Sequence, residues 1–86
     1  MQVSFSTNFN KKIKKMSAKV VDKFFERLEL LKRDKSNPIL NNHKLHGEYE
    51  GCRSINVTGN FRAVFEYFDE DKIVFSDIGT HPELYG

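Results

Sequence analysis

Histidine and arginine side chains give this sequence its main capacity for acid–base chemistry. A histidine titrates near neutral pH, so it donates or accepts a proton under physiological conditions, and an arginine grips a phosphate through two parallel hydrogen bonds. Cleavage of RNA without a metal needs a base for the 2′-hydroxyl, an acid for the leaving 5′-oxygen and a cation for the phosphate charge. His43, His46, His81 and Arg62 could supply these groups, although a basic-faced binding module would have a similar composition.

Other site chemistries have weaker support. His43 and His46 are three residues apart, but no third ligand lies nearby at a recognised metal-site spacing. Cys52 is the one cysteine, which excludes an internal disulfide, and it starts a predicted strand without activating neighbours. We interpret it as a small, half-buried strand residue. We therefore expect no metal and no cofactor.

Length and composition predict one small domain that spans residues 1–86. Aromatic residues make up 13% of the chain and include eight Phe, which is enough for a hydrophobic core and disfavours disorder. No run of about 18 apolar residues is present to span a membrane, and residues 1–15 lack the apolar core of a signal peptide. We therefore expect a cytoplasmic protein with no membrane partner.

Positive charge is concentrated in the first half of the chain. The 14 Lys plus Arg and 12 Asp plus Glu residues give a formal net charge of +2. Residues 1–46 contain eleven basic and four acidic residues, a balance of +7, whereas residues 47–86 contain three basic and eight acidic residues, a balance of −5. A basic half indicates either a polyanionic partner or a solvated helix face.

The first half predicts a strand followed by two helices. Alternation over residues 2–6 predicts the strand, and Thr7 or Asn8 is expected to cap the first helix. Ser17 is expected to cap the second helix, which should end before Pro38 because proline disfavours helical geometry in the preceding residue. Apolar residues at steps of three and four predict the buried helix faces; they are Phe9, Ile13, Met16, Val20, Val21, Phe24, Phe25, Leu28 and Leu31.

The second half predicts a three-stranded antiparallel meander, which makes the fold class α+β. After an irregular polar connection over residues 39–50, three strand-like segments at 52–58, 61–68 and 73–78 are joined by short turns and must run antiparallel. The remaining residues, 79–85, predict a loop and one helical turn. The inward residues of the last strand stay open between two sets, Val74 with Ile78 and Ile73 with Phe75.

The register of the first hairpin decides which residues face the helices. If Val57 lies opposite Phe61 across a three-residue loop, apolar and polar residues separate onto two faces, one packed and one open. The packed face is then expected to carry Ile55, Val57, Phe61, Ala63, Phe65 and Tyr67, and the open face Ser54, Asn56, Arg62, Val64 and Glu66.

Three segments of the chain, residues 43–47, 49–63 and 77–85, resemble the RelE/ParE toxin superfamily. They are most similar to the YafQ-type branch of bacterial type II toxin–antitoxin systems, in which His-Pro-Leu, Gly-Tyr-Arg, Asp-Trp-Arg and Gly-Thr-His-Ser-x-Leu-Tyr/Phe motifs are typical. The C-terminal Gly-Thr-His-Pro-Glu-Leu-Tyr element over 79–85 is the most specific part. The order of strand, two helices and meander also resembles this RelE-like fold.

The resemblance implies an mRNA interferase that enters the ribosomal A site, cuts mRNA without a metal and is held inactive by a cognate antitoxin. His81 matches the C-terminal catalytic histidine, which we expect to protonate the leaving oxygen. His43 matches the histidine that acts as base or positions the substrate. Arg62 matches the strand arginine that holds phosphate, and Tyr85 matches the terminal aromatic residue that would pack a nucleobase.

Several positions depart from the family pattern. Asn56 stands where the YafQ toxin has a second catalytic histidine, and Asn60 stands where it has an acid. Neither asparagine replaces a titrating group, so the base stays open between His43 and His46. Arg53 matches a family arginine and is either structural or phosphate-binding, because the preferred register turns it toward the packed face. The residues expected to contact RNA are Lys11, Lys12, Lys15, His46, Arg53, Asn56 and Asn60.

A rival interpretation from another class is a ParE-like toxin that inhibits DNA gyrase by binding, without cutting RNA. The histidines argue against it, because a protein that acts by binding alone does not need them. The expected partners are an antitoxin protein, the ribosome and mRNA.

Overall fold

One five-stranded sheet with helices organises this protein, whose computed structural model describes residues 1–85. Gly86, the last residue of the predicted domain, lies outside the described residues. The regular elements are β1 (Gln2–Phe5), α1 (Thr7–Ile13), α2 (Ala18–Arg33), β2 (His43–Lys44), β3 (Arg53–Asn56), β4 (Phe61–Asp69), β5 (Lys72–Thr80) and α3 (His81–Tyr85), with short 3₁₀ turns at Pro38–Leu40 and Gly47–Tyr49.

The strands lie in the order β1-β5-β4-β3-β2. β1 pairs with β5 in parallel, whereas β2, β3, β4 and β5 are paired antiparallel. The three predicted meander strands are present as β3, β4 and β5, and β2 is a fourth antiparallel strand that was not predicted. β2 lies within the segment that was expected to be an irregular connection. A two-residue strand is too short for alternation to be visible, and it exists because His43 and Lys44 pair with Ser54 and Arg53.

Serine side chains start both long helices. Ser6 Oγ accepts a hydrogen bond from the Phe9 N–H at 3.0 Å, so α1 begins one residue earlier than expected and neither Thr7 nor Asn8 is its cap. Ser17 caps α2 as predicted. α2 then ends at Arg33, before Pro38.

The helices pack on one face of the sheet over a cluster of phenylalanines. The Phe24 ring is fully buried, with its centroid 5.1 Å from that of Phe9 and 5.0 Å from that of Phe75. Val20 is buried and Val21 only partly, and Phe25 is 47% exposed, so its predicted place in the buried stripe was wrong. The residues fully or mostly buried in this phenylalanine core are Phe9, Val20, Phe24, Leu28, Leu31, Leu40, Ile55, Val57, Ala63, Phe65, Ile73, Phe75 and Ile78.

The first hairpin has the predicted register. Val57 N–H donates to the Phe61 carbonyl at 3.0 Å, and Phe61 N–H donates to the Thr58 carbonyl at 2.9 Å. Gly59 adopts a φ of +55°, which glycine tolerates without strain. Arg62 therefore lies opposite Asn56 on the face that does not contact the helices.

A β-bulge resolves the open choice in the last strand. Val64 pairs with Asp77 but the next residue, Phe65, pairs with Phe75, so Ser76 is the extra residue. The bulge lets Ile73, Phe75 and Ile78 all enter the core. The Ile73 and Phe75 set is therefore confirmed, whereas in the other set only Ile78 is inward and Val74 is not.

The second face of the sheet is partly covered rather than open. Val64 was expected on an exposed polar face, but it is fully buried beneath Leu45 and Leu84, because α3 folds back over the sheet. Cys52 packs at the margin of this small cluster, as a half-buried strand residue should. Tyr67 was expected in the core and is 42% exposed, because it lies beyond the buried Phe65 at the sheet end.

The edge of β5 that continues beyond β1 is covered by α1. The Ser76 carbonyl accepts hydrogen bonds from Ser6 Oγ at 3.2 Å and from Asn8 Nδ2 at 2.9 Å, which ties the start of α1 to the strand. No helix within residues 1–85 has both the length and the apolar character needed to cross a membrane.

Candidate active site

His81 is the first residue of α3 and is held there by a capping box. Thr80 donates from its backbone N–H and from its hydroxyl to Glu83 Oε1, both at 2.8 Å, and the Glu83 N–H donates to Thr80 Oγ1 at 3.4 Å. The hydrogen bonds from Thr80, first from its N–H and then from its hydroxyl, lower the pKa of Glu83. The turn that carries His81 is therefore rigidly tied to the end of β5, while the imidazole remains exposed.

The β3–β4 hairpin lies directly beside His81. The His81 N–H donates to the Asn60 carbonyl at 2.9 Å. Two residues further on, Arg62 Nη1 donates to the carbonyls of Gly59 at 3.2 Å and Phe61 at 3.0 Å. Arg62 forms no ion pair with any carboxylate in residues 1–85, so its Nε and Nη2 donors remain available to a phosphate.

Asn56 is opposite Arg62 on the same face. Its side-chain oxygen is buried and has no hydrogen-bond partner in the described chain. The residue as a whole is half-buried, and it shares this face of the sheet with Arg62.

Aromatic rings connect His81 to a partly exposed ion pair between Lys12 and Asp77. The ring centroids of His81 and Tyr85 are 4.7 Å apart, and those of Tyr85 and Tyr49 are 5.9 Å apart. Tyr49 donates its hydroxyl to Asp77 Oδ2 at 3.3 Å, and Lys12 Nζ lies 2.5 Å from Asp77 Oδ1. Burial raises the pKa of Tyr49, and the Asp77 carboxylate raises that pKa further. The Tyr85 hydroxyl is buried and makes no hydrogen bond within residues 1–85.

His43 lies on the same face but at the edge strand β2. Its Nδ1 is 2.7 Å from the Asn41 carbonyl oxygen, and its Nε2 is 3.4 Å from Ser54 Oγ. A carbonyl oxygen only accepts, so this hydrogen bond assigns the proton of the neutral ring to Nδ1 and leaves the lone pair on Nε2. β3 and β4 separate His43 from β5, and the structure does not bring it into contact with His81.

His46 is nearer to α3. It lines a cavity of about 460 Å³ together with Tyr49, Glu83, Leu84 and Tyr85. Its Nδ1 is 3.8 Å from Glu50 Oε2, and both side chains are largely exposed. The cavity places His46 near Tyr85, the aromatic residue against which His81 packs.

The remaining predicted RNA contacts are dispersed. Lys11 and Lys15 are exposed on the α1 side of the molecule, whereas Lys12 is held by Asp77. Arg53 points to the helix-bearing face, as the register predicted, and its Nε donates to Asn42 Oδ1 at 2.7 Å.

Asp77, Tyr49 and Glu83 support the candidate site, although no role was predicted for them from the sequence. The Thr80-x-x-Glu83 spacing is a capping-box signature and could have been found. Lys12 and Asp77 are 65 residues apart, and no periodic pattern in the sequence predicts their contact. Within residues 1–85, no three His, Cys, Asp or Glu side chains come together as a set that could hold a metal ion.

Comparison with known proteins identifies the family. The family model described as "Bacterial toxin of type II toxin-antitoxin system, YafQ" matches residues 1–86. The chain belongs to the YafQ family. The YafQ-type resemblance read from the motifs is thereby confirmed.

Solved structures of YafQ and related toxins share the fold. A mutant of YafQ from E. coli is 19% identical, with a TM-score of 0.80, and the alignment covers 99% of this chain and 98% of that one. The E. coli DinJ–YafQ complex contains a chain that is 21% identical, with a TM-score of 0.72 and coverage of 99% and 98%. A YoeB/ParE toxin from Agrobacterium tumefaciens is 16% identical, with a TM-score of 0.77 and coverage of 94% and 99%. The comparison with curated proteins gives no significant match.

Proposed function

We propose that this YafQ-family toxin is a ribosome-dependent endoribonuclease that cuts mRNA in the A site by acid–base catalysis. The observation that carries the proposal is that Arg62, which forms no ion pair with a carboxylate in residues 1–85, lies on the hairpin whose Asn60 carbonyl accepts a hydrogen bond from the backbone of the exposed His81. A cation that is free of carboxylates and a rigidly placed histidine are the groups that phosphodiester cleavage requires.

The proposed reaction is an in-line attack of the ribose 2′-oxygen on the adjacent phosphorus. A base takes the 2′-hydroxyl proton, the bond from phosphorus to the 5′-oxygen breaks, and His81 gives its proton to that leaving oxygen. The products are a 2′,3′-cyclic phosphate and a free 5′-hydroxyl, so atoms and charge balance. Arg62 stabilises the charge on the non-bridging oxygens, and the Tyr85 ring packs against a nucleobase.

We propose His43 as the base, because the hydrogen bond from its Nδ1 to Asn41 leaves Nε2 as a proton acceptor, whose long contact with the Ser54 hydroxyl the 2′-hydroxyl of the substrate would replace. The attacking and leaving oxygens are bonded to one phosphorus, so this assignment requires the side chains of His43 and His81 to converge on the same phosphate, above β3 and β4. His46 is the competing base.

An antitoxin is the proposed inhibitor and the cytoplasm the proposed location, since ribosomes and mRNA are there. YafQ from E. coli has been solved in complex with DinJ, its antitoxin. For this chain, the charge balance of +7 over residues 1–46 favours an acidic partner.

The test is to induce wild type and His81→Gln in cells and to map the 5′ ends of mRNA. Loss of the general acid should reduce cleavage about 10²- to 10⁴-fold. The exposed His81 ring makes no side-chain hydrogen bond in the described residues, so the variant should fold normally. Arg33→Gln, which removes an exposed guanidinium at the end of α2, serves as a control and should cut like wild type.

Equal cleavage by wild type and His81→Gln would remove His81 from the mechanism. Growth arrest by both proteins with intact mRNA and inhibited DNA supercoiling would support the gyrase alternative. In the same mapping, His43→Gln should lose more activity than His46→Gln; the reverse order would assign the base to His46.

A further inference from the structure

We propose that Arg53 and Tyr67 form a second RNA site, which holds one nucleotide of a single strand outside the candidate active site. Arg53 and Tyr67 line two adjoining cavities of about 350 and 280 Å³ at the β2 edge of the sheet. His46 also lines the second cavity, which therefore borders the candidate active site. Both side chains lie on the helix-bearing face, the opposite side of the sheet from His43 and Arg62. We call these two cavities the β2-edge groove. The inference rests on the proposed function only in taking RNA as the substrate.

The Arg53 guanidinium is held in place without a counter-charge. Its Nε donates to Asn42 Oδ1 at 2.7 Å and its Nη2 to the Asn42 carbonyl at 3.4 Å. Asn42 is itself fixed, because its Nδ2 donates to the Lys35 carbonyl at 3.1 Å. No hydrogen bond within the described chain uses Arg53 Nη1. A rigid guanidinium with free donors loses little entropy when it binds a phosphate.

Two lysines add to the positive charge of the β2-edge groove. Lys35 lines the first cavity and Lys44 lines the second. Neither lysine, nor Arg53, forms an ion pair with a carboxylate in residues 1–85. The first cavity is lined by no acidic residue, and Glu50 in the second cavity lies beside His46. The β2-edge groove therefore favours an anion.

Tyr67 makes a nucleotide a better fit than a simple anion or an acidic peptide. Its side chain lines both cavities and is 42% exposed, and its ring is held in a T-shaped contact with the buried Phe65, with centroids 5.7 Å apart. A nucleobase stacks on an exposed aromatic ring regardless of sequence. A phosphate on Arg53 and a base on Tyr67 together account for both side chains, whereas a carboxylate uses only the arginine.

The short strand β2 connects the β2-edge groove to the candidate active site. His43 and Lys44 are adjacent in β2 and so point to opposite faces of the sheet. His43 pairs across the strand with Ser54, and Lys44 pairs with Arg53. An RNA strand that crosses the edge at β2 would contact Lys44 and Arg53 on one side and His43 on the other. The β2-edge groove would then align RNA that flanks the cleaved bond.

The experiment measures binding by fluorescence anisotropy, with a labelled single-stranded RNA of about ten nucleotides and proteins in a His81→Gln background. Arg53→Gln and Tyr67→Leu should each weaken binding about tenfold, whereas Tyr67→Phe should bind like its parent because the ring remains. The slope of log affinity against log salt should become shallower by about 0.7 in Arg53→Gln and should not change in Tyr67→Leu. Lys32→Gln, which removes a charge paired with Glu29 on α2, is the matched control.

Two outcomes would overturn the proposal. One is that Arg53→Gln and Tyr67→Leu bind RNA as Lys32→Gln does while their thermal unfolding matches the parent. The other is that a polyglutamate peptide of equal length binds with the same dependence on Arg53 and Tyr67 and RNA does not. Because binding is measured without cleavage, failure here leaves the role of His81 untouched, and failure of His81 in the mRNA mapping leaves the β2-edge groove untouched.

Discussion

The two faces of the sheet hold their side chains by different means. On the helix-bearing face, Phe9, Phe24 and Phe75 pack ring against ring at centroid distances of 5.0–5.7 Å, in a core sealed by α1 and α2. On the other face, only Leu45, Val64 and Leu84 form the buried cluster among the described residues. The other side chains of this face are held by polar contacts. Stability thus resides mainly on one face, and the proposed catalytic chemistry on the other.

The largest expected effect comes from the phenylalanine core. Phe24→Ala should lower the free energy of unfolding by about 4 kcal/mol, because it removes a buried ring and leaves a cavity. In a protein of this size, that loss should leave a substantial unfolded fraction at 37 °C. Urea denaturation followed by circular dichroism measures it. A loss below about 1 kcal/mol would show that the rings can repack and would weaken the contrast between the faces.

A smaller effect on stability, but a larger one on activity, is expected from the second face. Leu84→Ala should cost about 2–3 kcal/mol, because Leu84 anchors α3 on Val64. Loosening α3 should misplace His81, so mRNA cleavage should fall even where the variant is fully folded. The comparison variant is Leu30→Ala, which removes the same atoms from a leucine that packs on the phenylalanine core. If both variants cleave alike at equal folded fractions, α3 does not depend on this anchor.

The smallest effect is a dependence of stability on pH at the capping box. The hydrogen bonds from Thr80 lower the pKa of Glu83, so the ionised form stabilises the fold. This contribution is present at neutral pH and is lost as the pH falls through the lowered pKa. Wild type should therefore exceed Glu83→Gln in melting temperature at neutral pH, with the gap closing in acid. Glu70→Gln in the β4–β5 turn is the control. If the melting temperatures of wild type and Glu70→Gln differ with the same pH dependence, the capping box is not the cause.

Local sequence signals were sufficient to predict the register of one hairpin and the capping residue of one helix. The Val57–Phe61 register was predicted because it separates apolar from polar residues on either side of a turn with glycine at its centre. The hydrogen bond from Val57 N–H to the Phe61 carbonyl confirms this register. Ser17 was found because it immediately precedes a strong helical period. At the first helix, Thr7 and Asn8 are equally good caps by residue type, and only the hydrogen bond from Phe9 selects Ser6.

The errors arose where distant parts of the chain meet. Val64 looked like an exposed residue because its burial depends on α3 returning over the sheet. The bulge at Ser76 changes which side chains of β5 point inward, and no pattern within residues 73–78 shows it. Of the candidate site, the family motif located His81 and Arg62. The hydrogen bond between Tyr49 and Asp77, which supports the candidate site, joins residues 28 positions apart. Sequence spacing does not predict such a contact.

The pairing of β1 with β5 also bears on when the protein acquires its activity during synthesis. β1 is bonded in the sheet to β5 alone, through residues that follow it by 70 positions. Translation proceeds at about 5–20 residues per second, so β1 waits several seconds for its neighbour. The strand that leads into His81 is the same β5. A nascent chain therefore has neither a closed sheet nor the proposed acid while residues 1–71 are being made.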